Sequence, residues 1–327
     1  MLVHSEKEDK VVMFPKWKER LMLQSKQAVK EQRYQDALAI YNKLLDYKTR
    51  THEVYTGKLL CLMELGEMVE AEVLCEQLLA TQEEGYSDYI QLYSTLLFQS
   101  NQYDKVVELL EDITSEHDLA QQVKEQLMQM YHLSKSLDDD RKMEDSFRLI
   151  SQFKQAINDR DVWKQWRLIQ KWEGLPVEPH LEYLVSILKG EKNPVIKTGI
   201  INLLITNNVD KQVEVVKFGK TKPVNPSKLE FISDHEAVRG ILLELEYHEQ
   251  SNPSLLQLIK ALLYRFVFVR YPFVPGKEEY PSIAKALTLI GEQQFHLTNL
   301  LQEDSHLYEY IKTIMECDQV YLAIIEE

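Results

Sequence analysis

The chain of 327 residues is long enough for about two domains and for a sizeable apolar core without disulfide staples. Glycine and proline number only 10 each, 44% of residues are hydrophobic and 28% are charged, which excludes collagen-like, linker-rich and disordered readings. Acidic residues outnumber basic ones by 52 to 38, a net charge of −14, so the chain as a whole repels phosphate backbones and nucleic acid is not expected as a partner.

Residues 1–15 form an N-terminal extension, too charged for the apolar core of a signal peptide and without the basic amphipathic pattern of a transit sequence. From residue 16 a repeat sets in. Gln32-Arg-Tyr-Gln-Asp-Ala37, Gly66-Glu-Met-Val-Glu-Ala71 and Asn101-Gln-Tyr-Asp-Lys-Val106 follow one pattern at intervals of 34 and 35 residues. After each turn come an apolar residue, a small one three later and a larger apolar one four beyond that: Tyr34/Ala37/Tyr41, Met68/Ala71/Cys75 and Tyr103/Val106/Leu110, with Leu44, Leu78 and Ile113 next. Steps of three and four keep these on one helical stripe, and the small member admits a neighbouring helix. Upstream of each turn a second helix carries its own stripe: Leu21 and Ala28, then Tyr55, Leu59 and Leu62, then Ile90, Tyr93, Ser94 and Leu97. Each unit is therefore an αα-hairpin. A fourth, divergent pair is expected from Asp118 to Asn158, with a solvent loop at Asp138-Asp-Asp140 where like charges repel.

Near residue 158 the pattern changes. Trp163, Trp166 and Trp172 share one short helical stretch, read as packing rather than as a platform for stacking bases, and Gly174-Leu-Pro176 breaks it. Helices are expected at Glu178–Lys189 and at Pro194–Thr206, where Asn193-Pro194 places proline in a first turn. The alternating, β-branched segment within 212–225, with Gly219 at its centre, predicts a small β-hairpin. Lys217, Lys220, Lys222 and Lys228 either shield an exposed strand edge, the favoured reading, or offer a patch to an acidic partner. Further helices are expected at His235–Tyr247, Pro253–Arg270, Pro281–Gly291 and Ser305–Glu326, and a cis bond is possible at Tyr271-Pro272 or Tyr280-Pro281. The apolar window Leu255–Val274 is interrupted by Lys260, Arg265 and Arg270, which argues against a membrane span.

The three hairpins resemble the tetratricopeptide repeat (TPR) in period, in helix–turn–helix layout and in the Gly66…Ala71 turn. Gln32 and Val106 stand where that repeat usually has glycine and alanine, and no unit ends in the usual proline. With the Lys-Asn-Pro-Val-Ile-Lys helix and the Val-Glu-Val-Val-Lys-Phe-Gly hairpin, the whole chain resembles a family of TPR-containing cytosolic proteins from Bacillus-type bacteria. The expected fold is all-α: a right-handed α-α superhelix over residues 16–158, with about four helix pairs, then a HEAT-like helical domain over 159–327 carrying the hairpin.

Chemistry is sparsely written. There is no phosphate loop, no dinucleotide fingerprint, no HExxH and no nucleophile elbow, so neither a catalytic nor a cofactor site is expected. Glu244 and His248 lie one turn apart, a spacing read as an ordinary polar face rather than a metal site. Cys61, Cys75 and Cys317 show neither disulfide nor zinc spacing, which fits a reducing cytoplasm, and Cys61 and Cys75 are read as small buried hydrophobes. A stack of helical hairpins lines a concave groove with its first helices. On their outward side fall Met22, Lys26, Thr56, Leu60, Met63, Gln91, Thr95 and Phe98, among which Met63, Leu60 and Phe98 offer an apolar strip suited to a peptide or a partner helix. TPR adaptors that clamp a C-terminal carboxylate use Lys and Asn on this face, whereas Met22, Lys26, Gly57, Asp88 and Leu92 stand at the corresponding places here. The expected function is thus a non-enzymatic scaffold for a protein or peptide partner. The alternatives are a peptide-sensing regulator and an enzyme in the second half; oligomeric state is left open.

Overall fold

Three helix pairs follow one another in the first part of the chain: α1 (Pro15–Lys30) with α2 (Tyr34–Asp46), α3 (His52–Leu65) with α4 (Met68–Thr81), and α5 (Tyr86–Gln99) with α6 (Tyr103–Glu116). The structure, a computed structural model, describes residues 15–81, 85–116, 119–190, 193–245, 253–294 and 305–325. The repeat has a backbone cause. Gln32, Gly66 and Asn101 all adopt the left-handed conformation, with φ of 59°, 77° and 55°. Each closes its helix with the same pair of bonds: Gly66 N–H donates to Met63 O and Glu67 N–H to Leu62 O, and the equivalent bonds run from Gln32 and Arg33 to Val29 and Ala28, and from Asn101 and Gln102 to Phe98 and Leu97. This Schellman closure satisfies the last carbonyls of the first helix and turns the chain into the second.

Most residues of the stripes that follow are buried, whereas Tyr34, Met68 and Tyr103 at the helix starts are half-buried and the side chain of Ile113 lies outside the described residues. Ala37, Ala71 and Val106 are wholly buried, as are Leu44, Cys75 and Leu110. Gly57 permits one close approach, since a Cβ there would lie 2.2 Å from Cζ of the buried Tyr41 ring. The core of this part is two adjoining seams, one running from Leu21 to Cys61 and one from Leu59 to Leu127.

The expected fourth pair is instead a single helix. α7 runs unbroken over Gln121–Asn158, 38 residues, and Asp138–Asp140 lie within it rather than in a loop. No glycine or proline interrupts this stretch. Arg141 Nη2 lies 2.8 Å from Asp138 Oδ1, one turn back, so part of the acidic repulsion that favoured a loop is offset within the helix. The chain forms two compact units, Met1–Arg141 and Lys142–Glu327, which divide within α7.

In the second unit, Asp161 caps α8 (Val162–Lys171) by accepting from Lys164 N–H at 2.9 Å. A 3-10 turn at Glu178–His180 leads into α9 (Leu181–Lys189). Asn193 caps α10 (Pro194–Thr206) through Val195 N–H, with Pro194 in the first turn. α10 packs against α8, α9, α12 (Pro253–Arg270) and α14 (Ser305–Ile325), so every residue from Val195 to Ile201 is buried. An all-round apolar helix is what such a central position demands. α11 (Glu236–Glu244) and α13 (Tyr280–Gln294) complete the bundle, and Tyr271-Pro272 is cis.

The expected hairpin is present. Strands β1 (Val213–Lys217) and β2 (Lys220–Val224) pair antiparallel with Lys217 opposite Lys220. Phe218 and Gly219 form the two-residue turn with φ of 51° and 71°, the pair of positive values that a type I′ turn requires. One lysine departs from the expected surface role. Lys217 follows the inward phase of Val213 and Val215 and is buried, donating to Thr198 Oγ1 at 2.6 Å and to Val269 O at 3.1 Å. Lys220, Lys222 and Lys228 are exposed, and Lys222 Nζ donates to Pro272 O at 2.8 Å. Of the tryptophans, Trp172 is fully buried between Phe153 and His180, and Trp166 packs 5.9 Å from Phe268. Trp163 is exposed beneath Arg167.

Candidate functional site

The first helices of the three pairs stack on one another. α1 packs against α3 and α3 against α5, whereas no comparable contact joins α2 to α4 or α4 to α6 among the described residues. That asymmetry is how a hairpin solenoid makes an inner surface from one helix of each pair.

The eight expected groove residues occupy three columns one repeat apart: Met22, Thr56 and Gln91; Lys26, Leu60 and Thr95; Met63 and Phe98. Leu60 is 36% exposed and Lys26 is exposed, while the other six are half-buried. Thr56 and Thr95 bond back to the carbonyls of His52 and Gln91, at 2.9 and 2.7 Å, which occupies their hydroxyl donors within their own helices. Met63 and Phe98 pack against the second seam, and the Phe98 ring also lies 5.3 Å from that of Tyr103. Met22 and Lys26 line a cavity of about 540 Å³ with Leu23, which is 70% exposed, and with Glu19 and Glu53.

A charged column also runs along this face, and it was not anticipated. Glu19, Glu53 and Asp88 stand one repeat apart, at 34 and 35 residues, near the start of their helices. Aligning the repeats by their turns would have exposed it. Two side chains, a lysine and a histidine, cross between successive first helices to meet these acids. Lys26 of α1 pairs with Glu53 of α3, and His52 Nε2 of α3 lies 2.9 Å from Asp88 Oδ2 of α5. The Glu53 carboxylate, as hydrogen-bond acceptor and as charge, raises the Lys26 ammonium above its ordinary value. Both Lys26 and Glu53 are more than half exposed, so the pair is screened and arranges the surface more than it stabilises the fold.

The chain is 28% identical, over its full length and 99% of the relative, to the TPR repeat-containing protein YsoA of Bacillus subtilis. That likeness supports a TPR-containing family of Bacillus-type bacteria. A shorter stretch of 53 residues, 16% of this chain and 6% of the relative, is 40% identical to sperm-associated antigen 1 of Mus musculus. The rat protein of that name is 36% identical over the same length. No family model and no solved structure matches the chain.

Other constellations bear on chemistry. Ser146 Oγ lies 3.1 Å from His180 Nε2, a serine–histidine contact that sequence spacing did not suggest. Ser146 is wholly buried, and His180 is wedged among Phe147, Trp172 and Ser146, where burial lowers its basicity. The contact joins α7 to the 3-10 turn inside the core. Burial pushes the thiols of Cys61 and Cys317 up to about 11 and that of Cys75 up to about 12, which suits inert packing roles. Of the pair Glu244 and His248, Glu244 ends α11 and His248 lies outside the described residues. No described helix is long and apolar enough to cross a membrane.

Proposed function

We propose that the chain is a cytoplasmic, non-enzymatic scaffold whose first helices hold a peptide or partner helix along the columns headed by Met22, Lys26 and Met63. The stacking of α1 on α3 and of α3 on α5 supports this reading, because a hairpin solenoid builds its inner surface from stacked first helices. The relative's description as a TPR repeat-containing protein supports the same class of interaction scaffold. Leu23 and Leu60 give the face exposed apolar area, and the column of Glu19, Glu53 and Asp88 favours a partner that combines apolar side chains with lysine or arginine.

The test is affinity capture from the source cytosol with the wild-type chain and with Leu60→Asp, read by mass spectrometry. Leu60 is 36% exposed, so the substitution should leave far-UV circular dichroism unchanged while removing the captured partner. Recovery of the same proteins by both chains would rule this face out. Loss of helicity in Leu60→Asp would move the test to Thr95→Asp in the same column.

A further inference from the structure

A second, unrelated cavity, of about 190 Å³, lies in the second unit beside the last turn of α12 and the first turns of α14. Its distinguishing group is Arg270. Among the described residues no carboxylate lies within ion-pairing distance of this guanidinium and no acceptor meets it, and its Nε is buried without a hydrogen-bond partner. The guanidinium sits 5.4 Å from the Phe266 ring centroid and 5.9 Å from that of Phe218. Two aromatic rings can hold the charged plane in place, yet they supply no acceptor for its edge. An arginine so placed has the donor fork for a carboxylate or a phosphate and lacks the anion.

The rest of the lining selects between those anions. Glu279 is engaged, its Oε1 accepting from Tyr310 O–H at 3.0 Å and its Oε2 from Gly276 N–H at 2.8 Å. Glu309 is exposed, and its carboxylate has no partner among the described residues. Two carboxylates in one small cavity oppose a dianion and favour a ligand that brings its own positive charge. The volume exceeds the roughly 150 Å³ that holds benzene and falls short of the roughly 300 Å³ at which drug-sized sites begin.

We propose that this cavity binds a small zwitterion of the α-amino-acid class, with its carboxylate on Arg270, its ammonium toward Glu309 and its side chain against Phe266. The site is independent of the groove in the first unit.

Isothermal titration of the full-length chain with a panel of free amino acids tests the assignment. Three further probes accompany the panel: the N-acetyl derivative of the best binder, the amine that lacks its carboxylate, and inorganic phosphate. At least one amino acid should bind saturably, and both derivatives should bind at least tenfold more weakly. Arg270→Lys keeps the charge but loses the fork, and it should weaken binding at least tenfold. So should Glu309→Gln, an exposed substitution that carries the test should Arg270→Lys fail to fold. Silence across the panel, equal affinity for the N-acetyl derivative, tighter binding of phosphate, or unchanged affinity in a folded variant would each overturn the proposal.

Discussion

The two units solve the burial problem differently. In the first, each repeat buries a short stripe against its neighbour, and the same left-handed turn at Gln32, Gly66 and Asn101 resets the chain every 34 or 35 residues. In the second, one helix, α10, is enclosed by four others, and a single core takes in residues from Leu149 to Ile324. A stack of local seams tolerates variation at one position of the repeat, as Val106 standing in place of alanine shows. A shared core has no equivalent position to borrow from, so its failures should spread further.

The largest expected effect follows from that contrast. Trp172 is fully buried, with its ring 6.2 Å from Phe153 of α7 and 5.6 Å from His180. Trp172→Ala should cost about 3–5 kcal/mol in urea denaturation. Hydrogen exchange should rise across α8 to α10 and remain unchanged in α1 to α4. Equal loss of protection in α1 to α4 would break the comparison, since it would mean that the repeats do not hold by local seams.

How far the sequence reveals these two designs depends on where the partners lie. The repeats are legible because each constraint is local: a turn residue, a small residue five positions on and an apolar stripe at helical spacing all fall within one short segment. The hairpin and α10 are legible for the same reason, through Gly219 and through Asn193-Pro194. The continuity of α7 is harder to see, because like charges at Asp138–Asp140 suggest a loop until Arg141 is recognised as a partner one turn away. Lys217 misleads in another way. Residue type places it outside, while its period-two phase with Val213 and Val215 places it inside, and the phase prevails because Thr198 Oγ1 and Val269 O are there to receive its amine. On the first helices, the three columns from Met22, Lys26 and Met63 could be located from the repeat, but the column of Glu19, Glu53 and Asp88 emerges only on aligning the repeats with one another. Arg270 could not be singled out at all, since what marks it is the absence of an acceptor in three dimensions.

Lys217 also sharpens the comparison, because the repeats contain no buried lysine among their described residues. Desolvation, and then the charge of Lys197, hold the Lys217 amine well below its ordinary value in the fold. Between that lowered value and the unfolded one near 10.4, the unfolded chain binds more proton, so this residue's contribution to stability grows as pH rises, by up to about 1.4 kcal/mol per pH unit. The contribution is complete above the unfolded value and is lost as pH falls through the folded one. Lys217→Met has no such group. The stability of the wild type minus that of Lys217→Met should therefore climb between about pH 8 and pH 10 in urea titrations. A flat difference over that window would show that the ammonium stays charged inside the second unit.

The smallest expected effect tests whether the three turns are one device. Gln32, with φ of 59°, occupies the place that Gly66 fills at 77°, and both make the same two bonds back to their helices. A side chain in the left-handed region costs about 1–2 kcal/mol, whereas glycine costs roughly 0.5–1 kcal/mol in lost freedom. Gln32→Gly should therefore raise stability by about 0.5–1 kcal/mol, seen as a higher urea midpoint at unchanged slope. Asn101→Gly should gain less, because asparagine enters this region more readily than glutamine does. Gly66→Gln should lose about what Gln32→Gly gains. Equal gains at residues 32 and 101 would fit a common turn but discard the asparagine preference. No gain at residue 32 would mean that its turn is held by something other than the shared closure, and the first repeat would then stand apart from the other two.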